Sequence, residues 1–290
     1  MPELPDTLLE LDCDETFITE LPELPTLLKN LYCSETKISC LPNLPRNLDN
    51  LDCSNTKIKR IRNLPYLSFL DCSFTEIREL PQHLPNTLKY LYCRGTSILS
   101  LPTLPDALVE FDCTFTQLDK LPKLPDTLEH FICYNTNIAN IKRLPSSLKH
   151  FDCSYTPLTE LPDLPDALSE YFDCSWTKIA TLPELPDALV ELRCSNTPLT
   201  CLPKLPTHLV ELHCSKTALT HLPALPDTLK VLNCTNTHIT KLPDLPGDFE
   251  DLYCSNEVWN NETWVAKQTH KTRCKNRNHL IEDELFDVVN

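Results

Sequence analysis

The chain has 290 residues, with 41 acidic against 26 basic side chains, a net charge of −15, 16 cysteines, 26 prolines and two glycines. That balance excludes a surface that tracks nucleic-acid phosphates, which needs a basic footprint, and favours a basic or neutral partner. No apolar run approaches the length of a membrane span, and so few glycines leave the turns to be built on proline.

From the first residues the sequence repeats with a period of about twenty. The consensus is L-P-x-L-P-[DNT]-x-L-x-x-L-x-C-S-x-T-x-[IL]-x-x, as in Leu21-Pro22-Glu23-Leu24-Pro25 through Cys33-Ser34-Glu35-Thr36-Lys37-Ile38. A fixed period this short predicts a solenoid, in which each unit buries its apolar face only against its neighbours. Thirteen cysteines mark thirteen units: Cys13, Cys33, Cys53, Cys72, Cys93, Cys113, Cys133, Cys153, Cys174, Cys194, Cys214, Cys234 and Cys254. The spacing slips by one residue only around Cys72, Cys93 and Cys174.

Within a unit, Leu31 and Cys33 stand two apart, so on an extended strand they share the inward face and Tyr32 and Ser34 point to the open one. Each unit therefore contributes one short strand to a long parallel sheet. On the return path Pro22 and Pro25 lack an amide proton, and they hold Leu21 and Leu24 extended, so no helix forms there. A thin, polyproline-like return is expected, and the Asp or Thr after the second proline is expected to close its turn. The predicted fold is a curved parallel sheet on a concave face, an extended convex side, and little helix outside a C-terminal cap.

Thirteen thiols at one repeat position read as small hydrophobes filling a narrow core. Strand spacing exceeds the roughly 3.8 Å between Cβ atoms that a relaxed disulfide needs, and no C-x-x-C pair offers a metal site. The thirteen thiols and the absence of a basic-then-apolar leader point to a reducing, intracellular compartment. No cofactor is expected. Threonines recur three residues after the cysteines, from Thr16 and Thr36 to Thr237, and each is expected to cap backbone groups between turns.

The core L-x-x-L-x-C-x-x-T-x-[IL] resembles the leucine-rich-repeat pattern. The L-P-x-L-P return with a twenty-residue period is similar to the short repeats of secreted bacterial effectors of the YopM and IpaH type, and the Cys-Ser-x-Thr variant resembles repeats of amoeba-infecting giant viruses. The resemblance covers residues 1–256. It implies a protein-binding scaffold acting in a host cytoplasm. The IpaH-type enzymes carry a large ligase domain after the repeats, whereas 257–290 offers only about 34 residues; no enzyme is expected, and no helical leader precedes the first repeat.

The positions that vary carry any function. On the open face the middle row includes Tyr32, Asp52, Asp71, Tyr92, Asp112, Asp152, Asp173, Arg193 and His213. Alternating acids and aromatics there can hold an extended basic segment, or the aspartates can simply solvate exposed strands. One row further, Phe74, Phe115, Tyr155 and Trp176 form an aromatic rim, of the kind that anchors protein interfaces. His130 and His150 occupy equivalent slots of adjacent units, as a pH-sensitive pair or as two solvated side chains.

The last segment, 257–290, reads as a partly helical cap bearing Trp259, Trp264 and a basic stretch, which is either a lid on the last unit or a targeting patch. Cys274 lies in that basic stretch. The leading expectation is a non-enzymatic scaffold that binds a protein on its concave face, as a monomer or with weak end-to-end self-association; two rivals are a ubiquitin-transfer enzyme using Cys274 and a structural protein that assembles end to end through its open first strand.

Overall fold

A computed structural model describes residues 3–255 and 273–274. Thirteen three-residue strands follow one another at the repeat period: β1 (Glu10–Asp12), β2 (Asn30–Tyr32), β3 (Asn50–Asp52), β4 (Phe69–Asp71), β5 (Tyr90–Tyr92), β6 (Glu110–Asp112), β7 (His130–Ile132), β8 (His150–Asp152), β9 (Tyr171–Asp173), β10 (Glu191–Arg193), β11 (Glu211–His213), β12 (Val231–Asn233) and β13 (Asp251–Tyr253). A two-residue strand, β14 (Arg273–Cys274), pairs with β13 in the register Asp251↔Arg273 and Leu252↔Cys274. The sheet is parallel throughout and its strands lie in sequence order. The described residues contain no helix.

The register is one repeat per strand, so equivalent residues stack: Leu31 beside Leu51, Tyr32 beside Asp52. The ladder outruns the assigned strands. The Cys33 amide donates to Asp52 O at 2.9 Å and the Glu35 amide to Ser54 O at 3.1 Å, while Lys29 N reaches back to Leu9 O at 2.8 Å. Parallel pairing of every turn with both neighbours supplies the backbone bonds that a lone three-residue strand cannot make.

Inward side chains form one continuous apolar core. A typical unit gives it the strand-centre residue, the cysteine, the aliphatic five residues later and the leucine three before the strand centre; Leu128, Phe131, Cys133 and Ile138 are all fully buried. The leucines of the return are less enclosed, for Leu121 is only partly buried while Leu124 is buried. Proline closes the return with a backbone bond, as in Leu28 N→Pro25 O at 3.1 Å. Two residues after the second proline, Thr127 Oγ1 donates to Asp106 O and Leu108 O of the preceding turn, at 2.7 and 2.8 Å, and Thr228 does the same to Thr207 O and Leu209 O.

Twelve of the thirteen repeat cysteines are buried, with Cys254 intermediate. Several thiols lie against the carbonyl that their own amide already uses, as in Cys33 Sγ to Asp52 O at 3.4 Å. Burial pushes the thiols up: Cys13, beside Asp12 and Asp14, to about 11, and Cys53 and Cys93 well above the usual thiol value. These sulfurs therefore behave as core atoms, not nucleophiles. The threonines act within their unit rather than between turns. Thr36 Oγ1 donates to Cys33 O at 2.8 Å, and the same bond recurs through Thr237 and Cys234.

Candidate functional site: the concave face and its aromatic rim

The residue two after each cysteine adopts a left-handed backbone in every described turn, with φ between 51° and 59°. The slot is filled by Asn55, Asn135, Asn196 and Asn236, by Gly95 at φ 59°, and by Glu or Lys elsewhere. Phe74, Phe115, Tyr155 and Trp176 are the aromatic occupants. Glycine and asparagine take this conformation readily, whereas other residues meet a steric cost of about 1–2 kcal/mol. The sequence shows the row but not its conformation, because each of these residues is ordinary in an extended strand.

The rim is continuous from Phe115 to Trp176. Phe115 meets Tyr134 edge-on at 5.0 Å between ring centroids, Tyr134 meets Tyr155 at 5.1 Å, and Tyr155 stacks on Trp176 at 5.0 Å. Lys216 Nζ lies 5.6 Å above the Trp176 ring. At the other end the Phe74 ring covers Gly95, where a Cβ would stand 2.5 Å from Phe74 Cδ1. Phe74, Phe115, Tyr155 and Trp176 remain 38–44% exposed. Tyr134 was not among the expected site residues. It occupies the slot after the cysteine, mostly filled by serine, so nothing in the repeat pattern marks it.

The middle row behaves differently from its sequence. Tyr32, Asp52, Asp71, Tyr92, Asp152, Arg193 and His213 are half-buried, and Asp112 and Asp173 are buried. The aspartates neither lie open nor merely solvate a strand. Each turns one carboxylate oxygen to the backbone two residues on: Asp52 Oδ1 accepts from Ser54 N at 2.9 Å, Asp71 from Ser73 N at 2.8 Å, Asp112 from Thr114 N at 2.8 Å and Asp173 from Ser175 N at 2.7 Å. This is the side-chain turn that aspartate favours.

One arginine pairs with one of these aspartates and a second with a neighbouring glutamate. Arg94 Nε sits 2.6 Å from Asp112 Oδ2, with its guanidinium 5.5 Å from the Tyr92 ring. Arg193 lies over Tyr171 at 5.5 Å, and its Nε meets Glu191 Oε1 at 2.5 Å. The Tyr171 hydroxyl donates to Asp173 Oδ2 at 3.0 Å. Between these arginines, Asp152 and Asp173 stand side by side on β8 and β9. Desolvation, then the charge of Asp173, pushes Asp152 up to about 7; Asp173 is also raised, chiefly by burial.

His130 and His150 are not simply solvated. Their rings meet edge-on at 5.9 Å, and His150 stacks on Tyr171 at 4.7 Å. His130 reaches Glu110 and Glu170, each at 3.5 Å. Burial and the neighbouring His130 hold His150 below the usual histidine value. Among the described residues one group, Glu191, Glu211 and His213, brings three metal-capable atoms within 4.8 Å, but Arg193 already occupies Glu191 there. Asn233, in a glycosylation-like triplet, is buried and accepts from Thr235. The side chain of Cys274 and the rest of 257–290, including the basic stretch and the expected cap, lie outside the described residues.

Stacked parallel strands at a twenty-residue period, joined by an extended return around a leucine-and-thiol core, define the chain as a leucine-rich-repeat solenoid. It is of the short-repeat kind and is similar to YopM. The likeness to YopM from Yersinia enterocolitica WA-314 has 35% identity and a TM-score of 0.85 over 88% of this chain. This chain spans 56% of that one. A leucine-rich effector protein, YopM from Yersinia pestis, matches at 29% identity and a TM-score of 0.67, over 88% of this chain and 85% of its own. The functional domain of InlJ from Listeria monocytogenes, which includes a cysteine ladder, shares the fold at 23% identity and a TM-score of 0.61, over 86% of this chain and 68% of its own. No protein-family model matches the chain, and no curated protein matches it. No helix among the described residues is long and apolar enough to cross a membrane.

Proposed function

We propose that the chain is a non-enzymatic scaffold that holds an extended, basic segment of a protein partner along its concave face and aromatic rim, in the reducing cytoplasm of a host cell. The observation that carries this reading is the set of four aromatics at left-handed positions. Asparagine or glycine fills the same slot in five other turns without the steric cost, and Glu15, Glu35 and Lys216 fill the rest, so the four rings are held in strained backbone and kept at the surface. Clustered exposed aromatics are the usual anchors of protein interfaces. The net charge of −15 favours a basic partner. The likeness to YopM, described as an effector protein, supports a role in protein binding.

The test is an affinity capture from host-cell extract. The intact chain is compared with one in which Phe74, Phe115, Tyr155 and Trp176 are all replaced by asparagine, the residue that other turns place in this slot. Partners retained by the intact chain and lost by the variant are expected. Identical captured sets would overturn the reading.

A further inference from the structure

The concave face holds its own example of how a guanidinium is bound. Arg94 occupies the slot after Cys93 and reaches forward to Asp112 of the next turn, while its guanidinium rests by Tyr92. The equivalent slot before Asp152 is Tyr134, which brings a ring and no cation. Asp173 has Arg193 nearby, but that guanidinium is tied to Glu191. Asp152 Oδ1 accepts from Ser154 N at 2.9 Å and from Ser154 Oγ at 2.6 Å. Among the described residues no donor is bonded to its Oδ2 and no cation pairs with it. Burial first, then Tyr155 and the nearby charges of Asp152 and Asp173, push the Tyr134 hydroxyl up.

We propose that Asp152 and Asp173, beside the rings of Tyr134 and Tyr171, form a receptor for one arginine side chain of the partner's segment. The inference rests on the concave-face reading above and names the chemistry of that partner. An incoming guanidinium pairs with Asp152 Oδ2 and lies against the Tyr134 ring, as the Arg94 guanidinium stands in an ion pair with Asp112 Oδ2 and rests by Tyr92. Arginine fits better than lysine, because its planar fork both hydrogen-bonds a carboxylate and stacks on a ring. A carboxylate pair with a missing cation is costly in a half-buried site, and supplying the cation removes that cost.

The charged groups facing Asp152 are Asp173 on β9, Asp112 two turns before, and Arg193 beyond Asp173. The phenols of Tyr134 and Tyr171 and the His150 imidazole on its own strand complete the surroundings. The acids outnumber the cation, so Asp152 holds its proton up to about pH 7. Arginine binding needs it ionised, so affinity falls as pH drops through 7 and is recovered above it.

The test is calorimetric titration of the full chain, at physiological salt, with acetylated and amidated hexa-arginine, beside hexa-lysine and the uncharged hexa-citrulline. Hexa-arginine is expected to bind at pH 8 and at least about tenfold more weakly at pH 6, to bind more tightly than hexa-lysine, and to lose about tenfold in affinity in Asp152→Asn. Asp163→Asn, an equal change of charge at an exposed return position, is expected to change it less than twofold. No binding of hexa-arginine, equal binding of hexa-lysine or hexa-citrulline, or equal losses in the Asp152→Asn and Asp163→Asn chains would each overturn the proposal. If the four-asparagine chain loses its captured partners while Asp152→Asn keeps them at full affinity, concave-face docking stands and the arginine receptor falls.

Discussion

The four turns from β6 to β9 and the three from β10 to β12 share one backbone and differ in nearly every side chain that the backbone leaves free. In the first region the strand centres are Phe111, Phe131, Phe151 and Phe172, whose rings stack 5.7 Å apart and nearly parallel. In the second they are Leu192, Leu212 and Leu232. The left-handed slots hold Phe115, Asn135, Tyr155 and Trp176 against Asn196, Lys216 and Asn236. The middle row holds Asp112, Ile132, Asp152 and Asp173 against Arg193, His213 and Asn233. The later turns show that the solenoid closes with other residues at these slots. The backbone therefore does not dictate the aromatic choices in the central turns, while the aspartates there also bond their own turns.

The largest effects lie in the core. Phe151→Ala removes a ring stacked on both neighbours and should cost about 3–5 kcal/mol in urea unfolding. Phe151→Leu, which copies the Leu212 arrangement, should lose only the two ring contacts, about 1–3 kcal/mol. If both substitutions cost the same, the stack contributes nothing beyond volume.

Next come the features the two regions share. Thr156 donates to Cys153 O at 2.6 Å and Thr217 to Cys214 O at 2.8 Å, both buried. Thr156→Val and Thr217→Val each leave a buried carbonyl short of a partner and should cost about 1–3 kcal/mol, alike in both places. Unequal losses in denaturant melts would show that the regions differ in scaffold as well as surface.

Asp152→Asn copies Asn233, whose Oδ1 already accepts from Thr235 N and Oγ1 at 3.2 and 2.9 Å. The amide keeps the turn and removes an ill-placed charge. Asp152 binds its proton more tightly in the fold than in the unfolded chain, so its ionisation weakens the fold as pH rises from about 4 to about 7. Asp152→Asn should therefore stabilise by about 1–2 kcal/mol at pH 8, after solvent screening of a half-buried group, and by almost nothing at pH 4. Asp112→Asn is the counterpart: it takes a carboxylate from Arg94 and should destabilise at pH 8. Melts that run in parallel at both pH values would remove the uncompensated charge from the argument.

The repeat made the sheet, its register and the buried thiols legible in the sequence, because period, proline pairs and the Leu-x-Cys alternation all point to the same fold. The site was legible as rows, not as chemistry. Asp112 and Asp173 look exposed because alternation places them on the open face, yet they fold back on their own backbone and are buried. The left-handed slots escaped notice because Phe, Tyr and Trp carry no turn signal. Tyr134 and Arg94 share one slot across turns, and only the stacked geometry shows that the first leaves Asp152 without what the second gives Asp112.

The smallest effect is the most discriminating. Trp176→Asn replaces a strained aromatic with the residue that Asn196 and Asn236 place at the same φ. It relieves a left-handed conformation worth about 1–2 kcal/mol and gives up the stack on Tyr155, worth about 0.5–1.5 kcal/mol, and the Lys216 contact, worth about 0.5–1 kcal/mol. Gain and loss nearly cancel, so the melting midpoint should stay within a few degrees of the parent. Binding has no such compensation, and loss of a central anchor should weaken the partner by about 2 kcal/mol or more. A variant that melts like the parent and no longer binds places the purpose of Trp176 outside the fold. One that melts much earlier and binds as before makes the rim a part of the scaffold, and the contrast between the central and the later turns becomes one of packing alone.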